Sequence, residues 1–286
     1  MPVITVLSVQ SAVAYGHAGN SSAVFPLQRS GVEVWPVYTV TFSNNTSYGS
    51  WRGPLIAASD IGEVINGIDD RGVLGQVDAV LSGYQGGEDV GAEILRAVEL
   101  VKQRNPKAIY CADPVMGDVG RGFYARPGIP EFMRDHVTAA ADIMSPNLFE
   151  LEFLTGRDTN STAEVIDAAH ALRAMGPSTV LVTSVVGQDV ADGVLRMVAV
   201  NGTEVWQVDT PLIERSFTGS GDLTTAMFLT HLLRTQDLGA ALGQTASIVY
   251  SVLKRTTDDD SRELRLVAAQ DDIVDPRHTF TAVRLA

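Results

Sequence analysis

Short apolar runs alternate with helix-patterned segments along nearly the whole chain, and no other feature of the sequence restricts its fold as much. Residues 3–9, 33–40, 79–81, 108–112, 142–144 and 179–183 are short and apolar, the pattern of strands buried on both faces. Residues 20–30, 61–71, 90–104 and 162–175 carry helical spacing instead. The first of these stops before Gly31 and the third at Asn105-Pro106. Such alternation predicts an α/β fold with a mostly parallel sheet and right-handed crossovers. Residues 194–200 and 204–208 flank Asn201-Gly202, a strong hairpin signal, so an antiparallel addition is expected on one sheet edge. Two helical segments, 223–234 and 238–254, follow. No repeat, linker or low-complexity stretch interrupts the pattern, and residues 1–286 are expected to form one domain.

Charge and composition exclude several classes. The net charge is −13 and no basic run occurs, so no nucleic-acid partner is expected. No apolar run reaches the roughly 18–20 residues of a membrane span. The N-terminus lacks a basic n-region and a cleavage pattern, so it is read as a first strand rather than a signal peptide. The single cysteine, Cys111, excludes an intramolecular disulfide framework and fits a reducing cytoplasm. An acidic chain that binds an anion must supply positive potential locally, through backbone N–H groups, a helix N-terminus or a metal.

Phe217-Thr218-Gly219-Ser220-Gly221-Asp222-Leu223 carries the most chemical information. Gly219 and Gly221 permit backbone conformations that turn N–H groups toward an anion, and a helical pattern starts at once afterwards. Asp222 at that start is either a capping aspartate after a glycine turn or a base beside an anion hole. No Gly-Lys-Ser/Thr follows the glycines, so this is not a Walker A loop. Gly219-Ser220-Gly221-Asp222 resembles the Gly-Thr/Val-Gly-Asp signature of the ribokinase-like superfamily, with serine in the second place. The resemblance implies a three-layer α/β/α sandwich, phosphoryl transfer from ATP, and Asp222, Gly219, Ser220 and Gly221 as the catalytic group.

Four further segments are similar to pyridoxal kinases, and together they span most of the chain. Ser8-Val9-Gln10-Ser11 with Tyr15-Gly16-His17-Ala18-Gly19-Asn20 resembles the family's first strand and loop, which implies that Ser11 contacts the pyridine ring substituents. Ser43-Asn44-Asn45-Thr46-Ser47 resembles the substrate-side segment, with Thr46 and Ser47 toward the vitamer. Leu81-Ser82-Gly83-Tyr84 implies Tyr84 in the pocket wall. Asp113-Pro114-Val115-Met116-Gly117-Asp118 and Ser145-Pro146-Asn147-Leu148-Phe149-Glu150 imply ATP and Mg2+ binding through Asp113, Ser145 and Glu150, with Asp113 and Glu150 serving the cation. Thr183-Ser184 takes the place of an ATP-phosphate contact that is lysine in other bacterial members. Residues 117–128, with Gly120, Gly122 and Gly128, resemble a flap over ATP, from which either Phe123 or Tyr124 reaches the site.

The implied reaction moves the γ-phosphoryl group of ATP to the 5′-hydroxymethyl of pyridoxal. The implied assembly is a homodimer, and a K+ requirement is left open. Two other readings compete. A hydroxymethylpyrimidine kinase shares Asp-Pro-Val-Met-Gly and is separable by a substrate panel. A non-catalytic vitamer-binding protein is opposed by the intact Asp222 and both glycines. His17 is read as a loop histidine, Cys111 as a buried apolar residue, Asp118 as a solvated flap residue and residues 258–260 as a solvated loop.

Overall fold

In the computed structural model, which describes residues 3–285, the alternation becomes a nine-stranded sheet between two helical layers. Strand β1 (Thr5–Tyr15), α1 (Asn20–Arg29) and β2 (Glu33–Asn44) form the first unit. Helix α2 (Ala58–Asp69), β3 (Ala79–Ser82), α3 (Glu88–Arg104) and β4 (Ile109–Ala112) follow. A small hairpin of β5 (Gly117–Asp118) and β6 (Gly122–Phe123) stands apart from the main sheet. Helix α4 (Ile129–Phe132), a π turn over Met133–Val137 and α5 (Thr138–Ala140) lead to β7 (Ile143–Met144). Next come α6 (Leu148–Thr155), α7 (Thr162–Met175), β8 (Thr179–Val185), β9 (Val194–Val200) and β10 (Val205–Pro211). The last elements are α8 (Ser220–Thr235), α9 (Leu238–Asp258) and β11 (Val283–Arg284).

The sheet order is β2-β1-β3-β4-β7-β8-β9-β10-β11. Pairing is parallel from β2 through β8 and antiparallel from β8 to β11, so the expected edge hairpin is present and β11 extends it. From β1 the chain turns one way to β2 and then returns to the other side for β3. Open α/β sheets take ligands in the crevice beyond the strand ends at such a reversal.

Period-two alternation sorts the strand side chains onto two apolar layers. Leu7, Val9, Val80, Val180 and Val182 pack with α2, α3, α6 and α7. Val6, Ala79, Leu81, Cys111 and Leu181 pack with α1, α8 and α9. Full burial of each large apolar chain contributes about 1.5–3 kcal/mol before entropy is counted. Cys111 is wholly buried, as expected of an apolar residue, and burial pushes its thiol up.

Three local features prepare the site. At the start of α1 the buried Asn20 carboxamide donates to the carbonyls of Ser8, Gln10 and Val37 and accepts from Ser8 Oγ at 2.7 Å, which clamps β1 to β2. The β1–β2 register shifts between Gln10 and Ala12, at Ser11. The β8–β9 register shifts between Val182 and Val185, at Thr183 and Ser184, and Ser184 sits at φ 57. Such irregularities re-aim side chains beside active sites. They also explain why β1, β2 and β8 run beyond the apolar stretches 3–9, 33–40 and 179–183, whose far ends are polar.

Residues 258–260 are exposed, as expected of a solvated segment. Asp258 ends α9, and Asp259 accepts from Arg255 at 3.2 Å and from Arg265 at 3.1 Å, so these acids pin the segment after α9.

Candidate active site

A cleft of about 670 Å³ opens along the carboxyl ends of the parallel strands. Ser11, Thr46, Ser47 and Tyr84 line one part of it, and Asp113, Ser145, Glu150, Thr183 and Ser184 another. Gly219, Ser220, Gly221 and Asp222 also line it, so all the residues assigned from the sequence to catalysis, vitamer, ATP or cation face one cavity.

The glycine turn enters α8 with Gly219 at φ 88, and a Cβ there would lie 2.2 Å from the His17 carbonyl oxygen. Glycine is therefore required on both steric and torsional grounds. Ser22 Oγ donates to the Gly219 carbonyl at 2.7 Å, and Ser220 Oγ donates to the Phe217 carbonyl at 2.8 Å. The serine in the second place of the motif thus closes the turn through its hydroxyl. The first amides of α8 lack intrahelical acceptors and carry the positive end of the helix dipole. Asp222 Oδ2 accepts from Gly19 N–H at 2.8 Å. Withdrawal from water pushes its carboxyl up to about 6, against the lowering pull of the Gly19 amide and its own amide.

Asp113 is 6% exposed. Burial raises its carboxyl well above the usual range, and the nearby Asp222 and Glu150 charges raise it further. Thr225 Oγ1 donates to it at 3.1 Å and bonds Ser145 Oγ at 2.7 Å. The following Val115 has φ 22, a strained value for a β-branched residue, at a turn where its amide helps hold the Asp113 carboxylate. Glu150, 2% exposed, forms a capping box with Asn147 at the start of α6. Its Oε1 accepts from the amides of Met116 at 2.7 Å and Gly117 at 3.4 Å, and its Oε2 from Asn147 at 3.0 Å. Burial raises it to about 7 in spite of these amides. Glu150 therefore ties the root of the β5–β6 hairpin to α6.

The donors suit a hard cation. Asp113 brings carboxylate oxygen to the cleft, close to the Asp222 and Glu150 charges. No group of three or more His, Cys, Asp or Glu able to hold a metal occurs among the described residues. Magnesium held through nucleotide phosphates needs only one or two carboxylates, and this wall meets that need.

Tyr124, though 40% exposed, lines the cleft. Phe123 instead packs edge-on against Phe149 at 4.9 Å and Phe153 at 5.0 Å. Asp118, on β5, is half-buried and lines the cleft. His17 does lie in a loop, but its Nδ1 is buried without a partner and burial lowers its pKa.

Several lining residues carry no motif in the sequence. Arg121 and Arg126, both on the flap, are the basic side chains of the cleft wall. Phe42 and Trp51, with ring centroids 6.0 Å apart, give an aromatic wall beside Thr46. Thr225 stands beside Thr224 just after the glycine turn, and nothing in its residue type marks it.

Comparison with known proteins adds the following. Residues 76–263 match the family model described as phosphomethylpyrimidine kinase. The pyridoxal kinase PdxY of Leifsonia xyli subsp. xyli is 52% identical over 98% of this chain and 99% of its own length. That of Rubrobacter xylanophilus is 51% identical over 99% and 98%. Among solved structures, Leishmania donovani pyridoxal kinase in complex with ADP and pyridoxamine superposes with a TM-score of 0.92 at 26% identity, covering 99% of each chain. Trypanosoma brucei pyridoxal kinase superposes with a TM-score of 0.88 at 26% identity, covering 100% of each chain.

Proposed function

The chain belongs to the pyridoxal kinase family, and on that premise we propose that Asp222 is the general base of its phosphoryl transfer. The protein is an ATP-dependent pyridoxal kinase, forming pyridoxal 5′-phosphate from the vitamer in B6 salvage. Its full-length relatives carry this activity rather than the pyrimidine kinase alternative. The observation that carries the site assignment is the Asp222 carboxylate, held by Gly19 N–H beside the first amides of α8.

In the proposed mechanism the vitamer lies against Ser11, Thr46, Ser47 and Tyr84, with Phe42 and Trp51 as the apolar wall. ATP lies toward Ser145, Thr183 and Ser184. Asp222 takes the proton of the 5′-hydroxyl as that oxygen attacks in line. The amides around Gly219, Ser220 and Gly221 hold the charge that develops on the transferring group, where most catalysis of phosphoryl transfer resides. Asp113 would hold the divalent cation, with Glu150 beside it fixing the turn behind. Bound Mg2+ supplies neutralisation of the phosphate charge. K+ is kept as a candidate activator because Thr183 stands where a lysine would bring positive charge. Tyr124 and Arg121 close over the phosphates from the flap.

The enzyme is placed in the cytoplasm, where ATP is made, and is taken to be a homodimer by analogy with the family. No helix among the described residues is long and apolar enough to cross a membrane. The decisive experiment supplies Mg-ATP with pyridoxal, or in parallel with hydroxymethylpyrimidine, to the parent and to Asp222→Asn. Pyridoxal 5′-phosphate formed by the parent and lost in the variant is the expected result. Equal turnover by a folded Asp222→Asn protein would remove Asp222 from its role.

A further inference from the structure

We propose that Glu263 is a positioning residue for the transfer. From the segment after α9 it holds the vitamer-side turn and the loop that aims Asp222 in one frame. The inference rests on Asp222 being the base.

Glu263 lies 246 residues from His17 and 218 from Asn45 in sequence, yet it is 9% exposed and bonded to both. Its Oε2 accepts from His17 N–H at 3.0 Å. Its Oε1 accepts from Tyr48 O–H at 2.8 Å and from Asn45 Nδ2 at 3.1 Å. None of the three donors is a cation, so this carboxylate is satisfied by dipoles on two separate loops. A buried carboxylate is costly unless it is bonded in this way.

Each donor leads to the reacting centre. Two residues after His17, Gly19 N–H donates to Asp222 Oδ2. Asn45 caps the Thr46–Tyr48 turn by accepting from Ser47 N–H at 3.1 Å, and that turn presents Thr46 and Ser47 to the cleft. Thr218 Oγ1 donates to Ser47 Oγ at 3.4 Å, which links the same turn to the anion-binding loop. Gly16 is shaped for the contact: it has φ +85, and a Cβ there would lie 2.1 Å from Glu263 Oε2. Arg262 completes the strap, lying 3.6 Å over the Tyr48 ring and donating to the Ser47 carbonyl at 3.1 Å.

A carboxylate, rather than any acceptor, is required. Two oxygens serve three donors, whereas a glutamine amide would turn its NH2 toward at least one of them. Losing one contact frees the Thr46–Tyr48 turn or the His17–Gly19 loop relative to the other. Misplacement by about 1 Å at such a distance lowers turnover on the order of 10²-fold.

The test compares Glu263→Gln and Tyr48→Phe with the parent, using active-site concentration fixed by ATP-binding stoichiometry. Expected for Glu263→Gln is a kcat roughly 10–100-fold lower. The KM for pyridoxal rises by about tenfold, the equivalent of one charge-assisted hydrogen bond, while the Kd for ATP stays within about twofold. Tyr48→Phe, which removes one donor, is expected to raise the pyridoxal KM alone. A purely architectural Glu263 would lower Tm and the active fraction but leave kcat per site and pyridoxal KM at parental values, and that result overturns the proposal. If Glu263→Gln does not fold, a parental pyridoxal KM in Tyr48→Phe overturns it equally. Asp222→Asn is run alongside: parental turnover there defeats the base assignment itself, whereas the Glu263 effect on pyridoxal KM is read independently.

Discussion

Replacing Asp222 by asparagine is expected to stabilise the ligand-free protein while abolishing its turnover. The carboxyl is raised from 3.8 to about 6 by withdrawal from water. The folded state therefore holds this proton more tightly than the unfolded chain does. The stability so gained is complete below about pH 4 and is lost as the pH climbs through about 6. Above that, the ionised side chain burdens the fold. A gap of about two on the pH scale, at about 1.36 kcal/mol each, comes to roughly 3 kcal/mol. Asparagine removes the charge, keeps an oxygen for the Gly19 amide and relieves Asp113, which Asp222 pushes upward. Allowing for imperfect replacement, about 1–3 kcal/mol of stabilisation remains, or a Tm rise of roughly 2–6 °C. Urea denaturation of both proteins from pH 5 to 8, without nucleotide or metal, reads it directly. The stability gap should widen from pH 5 to 7 and then level off, while kcat falls about 10²–10⁴-fold. A gap that does not grow with pH, or an asparagine variant less stable at pH 7, would refute the electrostatic account.

Gly219→Ala forces a Cβ to within 2.2 Å of the His17 carbonyl and is expected to cut kcat about 10²-fold, with circular dichroism unchanged. Arg121→Ala is expected to raise the KM for ATP about tenfold or more and leave that for pyridoxal unaltered, as steady-state kinetics will show. Asp237 caps α9 by accepting from Ala240 N–H at 2.8 Å, at the end of α8 remote from the cleft. Asp237→Ala should therefore lower unfolding free energy by about 1 kcal/mol with kcat/KM intact.

Local pattern made the parallel sheet, the edge hairpin and the glycine turn before α8 legible, because each is written in contiguous residues. Asp113, Glu150 and Asp222 follow strand ends or open helices, and those positions converge by topology. What escaped depends on distant partners. Glu263 looks like one more acid in a charged tail until its partners, more than 200 residues away in sequence, are known. Strand ends beyond Val9, Val40 and Thr183 escaped because the register shifts at Ser11 and Thr183–Ser184 coincide with polar residues that break the apolar run. The helical stretch from Ile129 to Ala140 escaped because Pro130 and an intervening π turn blur its period.

The placement of charge in the cleft wall has a consequence for turnover. Asp113, Glu150 and Asp222 are built into the sheet and its helices, whereas Arg121 and Arg126 belong to the hairpin segment above them. The sign of the potential met by an anion is thus set by where that hairpin lies. As placed, its two guanidinium groups offset the carboxylates toward an entering polyphosphate. ADP leaves with less negative charge than ATP brings in, so the same two groups hold the spent nucleotide less firmly than the incoming one. Electrostatics at this wall thus ranks the substrate nucleotide above its product.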